Sequence, residues 1–88
     1  MPTVFIPAQL RSLTGGADQL RVTGGTVREV VQSLEAQFPG IQARLCRGDD
    51  LAPSLQVSID SVMSTQGLRA KVGPDSEVHF LPAIGGGC

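Results

Sequence analysis

The apolar positions of this chain repeat first at every second residue, then at helical spacing, then at every second residue again. Between Pro2 and Pro7, Thr3-Val4-Phe5-Ile6 is β-branched and aromatic, which predicts a short strand, central in the sheet, with Val4 and Ile6 on one face and Phe5 on the other. Leu10, Leu13 and Thr14-Gly15-Gly16 follow, then Leu20 and Val22 ahead of Gly24-Gly25. Two short strands joined by a glycine turn read as a hairpin. Thr26-Val27-Arg28-Glu29 fits a capping box, in which the Thr26 hydroxyl accepts an amide of the first turn and Glu29 reaches back to the cap amide. Val27, Val30, Val31, Leu34 and Phe38 then form one apolar stripe, and Pro39-Gly40 stops the helix.

Residues 41–54 read as a polar connection with one short helical turn, carrying Ile41, Leu45 and Cys46. Its Arg47-Gly48-Asp49 triplet resembles an integrin-type tripeptide and is better read as turn chemistry. Leu55, Val57 and Ile59 alternate with Gln56 and Ser58 as a half-buried strand that turns at Asp60-Ser61, where glycine would suit the second position better. Val62-Met63 is a short apolar piece, Gly73-Pro74-Asp75-Ser76 a turn, and 77–82 the last strand. If Val78 and Phe80 face the helix, His79 and Leu81 face away from it. One helix on one face of a mixed sheet is an α+β two-layer domain, here spanning residues 1–84.

Eighty-eight residues, 41% of them hydrophobic, suffice for one core and not two. With 7 Lys+Arg against 8 Asp+Glu there is no basic face for nucleic acid, and with aromatic content at 3% there are few stacking platforms. No apolar run is long enough to span a bilayer, and no basic segment precedes the first one, so the expectation is a cytoplasmic protein away from the membrane. In that compartment Cys46 and Cys88 are expected as free thiols, Cys46 as a small buried residue. His79 reads as a strand surface residue, and no His/Cys/Asp/Glu cluster suggests a metal.

The last strand runs into Pro82-Ala83-Ile84-Gly85-Gly86-Gly87-Cys88, of which residues 85–88 read as a flexible tail. Such a tail is either an inert end or a segment thin enough to lie extended in a partner's channel. Four stretches carry a resemblance that decides between these: Ala8-Gln9-Leu10-Arg11-Ser12-Leu13-Thr14-Gly15-Gly16, Gly25-Thr26-Val27-Arg28-Glu29-Val30, Phe38-Pro39-Gly40, and Phe80-Leu81-Pro82-Ala83-Ile84-Gly85-Gly86-Gly87. Together they resemble the ubiquitin-like β-grasp sulfur carriers of the MoaD, ThiS and CysO types, and the cysteine-forming CysO type most closely. The resemblance implies a carrier rather than an enzyme, with no bound cofactor. An E1-like adenylyltransferase/sulfurtransferase would use ATP to adenylate the terminal glycine, and sulfide or a persulfide would convert it to a thiocarboxylate.

On that alignment Gly85 takes the family's small-residue position, Gly86-Gly87 is the diglycine, and Gly87 carries the acyl group. Cys88 is one residue beyond the family's ending, so activation at Gly87 requires its removal. The Gly87-Cys88 bond matches the adduct that the cysteine-forming branch hydrolyses with a zinc-dependent JAMM-type protease, so one protease would both mature the chain and release product. A retained Cys88 thiol, binding metal or forming a mixed disulfide, is the other reading. The downstream partner implied is a cysteine synthase-like enzyme or the large subunit of molybdopterin synthase; conjugation to lysines, as ubiquitin is conjugated, is the rival from another class. Phe5, Leu81 and Ile84, with Gly85, form the expected docking patch, unless Phe5 fills a second small core.

Overall fold

The computed structural model describes residues 1–48, 50–52 and 55–82. Seven strands and two α-helices occur along them: β1 (Thr3–Phe5), β2 (Gln19–Arg21), α1 (Val27–Gln37), α2 (Ile41–Leu45), β3 (Cys46–Arg47), β4 (Asp50–Leu51), β5 (Leu55–Ile59), β6 (Val62–Met63) and β7 (Glu77–Pro82). The main sheet runs β2-β1-β7-β5-β6, and β3 and β4 form a separate ribbon. β1 and β7 are parallel at its centre and the other pairs antiparallel, so the sheet is mixed and the expected α+β architecture holds.

The helix starts where its capping box predicts. The amide of Glu29 donates to the Thr26 hydroxyl at 3.3 Å, while the Glu29 carboxylate accepts from Gly25 at 2.7 Å, one residue ahead of the expected cap amide. Its stripe of Val27, Val30, Val31 and Leu34 is fully covered by Val4, Val57, Val78 and Phe80 from the sheet, with Phe38 packed at the margin. Burying these side chains is the main stabilising term of the fold. Gly24 lets the chain enter this layer: a Cβ there would lie 2.8 Å from the Val30 amide.

Two segments differ from expectation. β1 and β2 do pair as a hairpin, but a seven-residue 3₁₀ helix, Ala8–Thr14, stands between them ahead of Gly15-Gly16. It buries Leu10, and the Thr14 hydroxyl lies 3.1 Å from the Arg11 carbonyl and 2.9 Å from that of Ala17. Residues 41–52 form α2 and the β3–β4 ribbon; Ile41 and Leu45 join the core, and Gly48 turns the ribbon at φ +64°, while Asp49 of the triplet lies outside the described residues. Cys46 is half-buried rather than buried, and partial burial pushes its thiol pKa up.

Asp60-Ser61 makes the two-residue turn between β5 and β6 with φ of +52° and +71°, the left-handed pair such a turn needs. Asp60 is held there by its own side chain, which accepts from the Glu77 amide at 2.9 Å and the Ser76 hydroxyl at 2.8 Å. Those bonds tie the turn to the start of β7. The expected tail, 85–88, lies outside the described residues.

Candidate functional site

The strand that leads to the glycine tail is β7, the middle strand of the five, and its alternation divides core from surface. Val78 and Phe80 point into the core, at 0% and 2% exposure, while Leu81 is 38% exposed. Register then defines the other face of the sheet. Phe5 on β1 pairs with His79 on β7, His79 with Ser58 on β5, and Ser58 with Met63 on β6. One row therefore crosses four strands on the face that α1 leaves open.

At the centre of this row the rings of Phe5 and His79 stack in parallel, with centroids 4.1 Å apart and planes 7° from each other. Phe5 is thus half-buried against His79, which is a surface partner and not a second core. Leu81, one step closer to the tail, pairs with the exposed Gln56. A groove of about 400 Å³ runs beside it, lined by Phe5, Pro7, Arg11, Asp18, His79 and Leu81 among others. Arg11 is held at its edge by a bond from Nε to the Ile6 carbonyl at 3.3 Å.

Phe5 and Leu81, placed on one face by alternation, both line this groove. Ile84, Gly85, Gly86, Gly87 and Cys88 lie outside the described residues. Sequence reasoning missed the roles of Met63 and Ser58, which needed the β5–β6 register, and of Arg11, which needed the 3₁₀ helix to bring it to the groove. His79 is an outward strand residue, as alternation places it, while its stacking on Phe5 was not foreseen. Among the described residues no group of three His, Cys, Asp or Glu side chains could hold a metal ion, and no helix is long and apolar enough to cross a membrane. What remains is a shallow, mostly apolar face beside the exit of β7, suited to binding a partner.

A second hollow, about 360 Å³, is lined by Glu35, Gly40, Gln42 and Cys46 among others. Its carboxylate is already engaged. Glu35 accepts from the Gln42 amide at 2.9 Å and from Gly40 at 3.1 Å, which lowers its pKa and caps the start of α2.

Known proteins share both the fold and the chain length. The ThiS family model matches residues 4–87. The sulfur carrier protein CysO of Mycobacterium tuberculosis (strain ATCC 25618 / H37Rv) is 34% identical over 92 aligned residues, which cover 97% of each chain. A chain of the Amycolatopsis orientalis BexX/CysO complex superposes with a TM-score of 0.90 at 33% identity, covering 98% of this chain and 99% of that one. The crystal structure of Mycobacterium tuberculosis CysO gives 0.87 at 29% identity, covering 96% and 100%.

Proposed function

The chain belongs to the ThiS family, and from that premise we propose that it carries sulfur as a thiocarboxylate on Gly87, in the service of cysteine biosynthesis. The observation that carries this reading is where the family match ends: it runs through Gly87 and stops before Cys88. The curated relatives of matching length are named sulfur carrier proteins, and this chain too is a carrier rather than a catalyst.

The chemistry follows from the carboxyl group. A carboxylate resists nucleophiles because it is negatively charged and lacks a good leaving group. Transfer of AMP from ATP to a Gly87 oxygen, with loss of diphosphate, removes both obstacles. Sulfide then attacks the acyl carbon, the bond to AMP breaks, and the thiocarboxylate remains; a persulfide donor gives an acyl disulfide instead, which a second thiol cleaves by exchange, leaving the thiocarboxylate and a disulfide. The partner that performs this is an E1-like adenylyltransferase/sulfurtransferase, and the acceptor is a cysteine synthase-like enzyme. Both act in the cytoplasm, where ATP is available.

Docking uses the open face. A CysO chain has been seen in complex with BexX, which supports the idea that carriers of this kind seat on a protein partner. Here Phe5, His79 and Leu81 would be covered while Ile84 and the glycines enter the partner's channel. Before activation the Gly87-Cys88 bond is hydrolysed by a JAMM-type zinc protease, which also frees cysteine from the finished adduct.

The test is a reconstitution. Purified protein treated with a family JAMM protease should yield the chain ending at Gly87 and free cysteine. Adding the adenylating enzyme, ATP and sulfide should then exchange one oxygen for sulfur. An intact Gly87-Cys88 bond would overturn the processing step, and no ATP-dependent mass change would overturn the carrier step.

A further inference from the structure

We infer that the tail end of this fold is kept free of amines so that an activated Gly87 survives until its partner uses it; the inference rests on the acyl chemistry proposed above. Of the seven basic residues six are arginine and one, Lys71, is lysine. An ε-amine attacks an acyl adenylate or thioester at its carbon. The amine forms a C–N bond, AMP or the thiol leaves with the bonding electrons, and the ammonium proton passes to solvent. The product is an amide that no longer transfers sulfur. A guanidinium stays protonated and does not attack.

The placement of the two cation types follows this division. Arg11, exposed, lines the groove beside Leu81 at the tail's exit. Lys71 is exposed between the buried Ala70 and Val72, and its strand segment is fixed by bonds of 3.0 Å from Val27 to Ala70 and from Val72 to Gly25. It shares a hollow with Ile59 and Val62. Ile59 pairs with Val78, and the tail leaves from Pro82, opposite Leu55. Those four residues place the exit about 13 Å further along the strand. Residues 83–87 at full stretch span about 17 Å, so they reach the amine only by doubling back along the sheet. Cys46, the free thiol among the described residues, is half-buried, and desolvation pushes its pKa up.

The test uses residues 1–87 prepared as a Gly87 thioester by intein thiolysis, so it does not depend on whether cells activate Gly87. The wild-type thioester should decay at pH 8 mainly to the free acid. Arg11→Lys keeps the charge and adds an amine at the exit; Gln56→Lys adds one across the sheet from Leu81. Each should shorten the lifetime by roughly tenfold and give an internal amide, one water lighter than the acid. Arg11→Gln should decay as wild type. The inference is overturned if both lysine variants match wild type, if Arg11→Gln decays as fast as Arg11→Lys, or if the wild type forms the amide through Lys71 as fast as the variants do. Failure of the carrier reading shows elsewhere, as the absence of sulfur on Gly87 in cells.

Discussion

The two faces of the sheet are built from the same strands and do opposite work. On the helix side Val4, Val57, Val78 and Phe80 are at most 2% exposed and meet Val27, Val30, Val31 and Leu34. On the open side Phe5 and His79 are half-buried, and Met63 and Leu81 are 48% and 38% exposed. Each strand contributes alternate residues to both, so a single register sets the core and the docking face together. The consequence is that core and surface substitutions one residue apart should separate cleanly into loss of stability and loss of docking.

The largest effect is expected from the core. Leu34→Ala removes a fully buried side chain at the centre of the stripe, and should lower unfolding free energy by about 2–5 kcal/mol in urea titration. A loss well below that range would mean that the helix side is not the core assumed here.

A smaller and pH-dependent effect belongs to Asp60, which joins the β5–β6 turn to β7. The Glu77 amide, and secondarily the Ser76 hydroxyl, hold its carboxyl below the ordinary carboxylate pKa. A group depressed in the folded state contributes stability that is present above its unfolded pKa, about 3.9, and lost as pH falls through the lower folded value. The gap in urea midpoint between wild type and Asp60→Asn should therefore be widest near neutrality and narrow below about pH 4. A gap that stays constant with pH would assign the effect to geometry alone.

The smallest change in stability is expected from Leu81→Asp, within about 0.5 kcal/mol, because the side chain is already exposed. Its effect on partner binding should be at least about tenfold, measured by calorimetry with the adenylating enzyme. Strong destabilisation without a specific binding loss would erase the distinction between the faces.

Sequence made most of the helix side legible because its signals are local. The capping box at Thr26, the stripe from Val27 to Leu34 and the alternation of β5 and β7 each occupy a single segment. The open face was legible only in part. Phe5 and Leu81 could be placed there by alternation, but the row through His79, Ser58 and Met63 depends on β1 lying parallel to β7 and β5 antiparallel to it, which no local pattern encodes. The 3₁₀ helix was missed because Leu10 and Leu13, three residues apart, suit a loop as well as a turn of helix, and its support comes from carbonyls that fold back on Thr14. The β3–β4 ribbon was missed because strands of two residues show no alternation. Its neighbour α2 is the one short helical turn expected there, with Ile41 and Leu45 as its periodic pair.

The measurement that bears most directly on the carrier reading is the intact mass of the protein isolated from its own cells. The account predicts a chain ending at Gly87, part of the population having one oxygen replaced by sulfur. A population that retains Cys88 throughout and carries no added sulfur would contradict it.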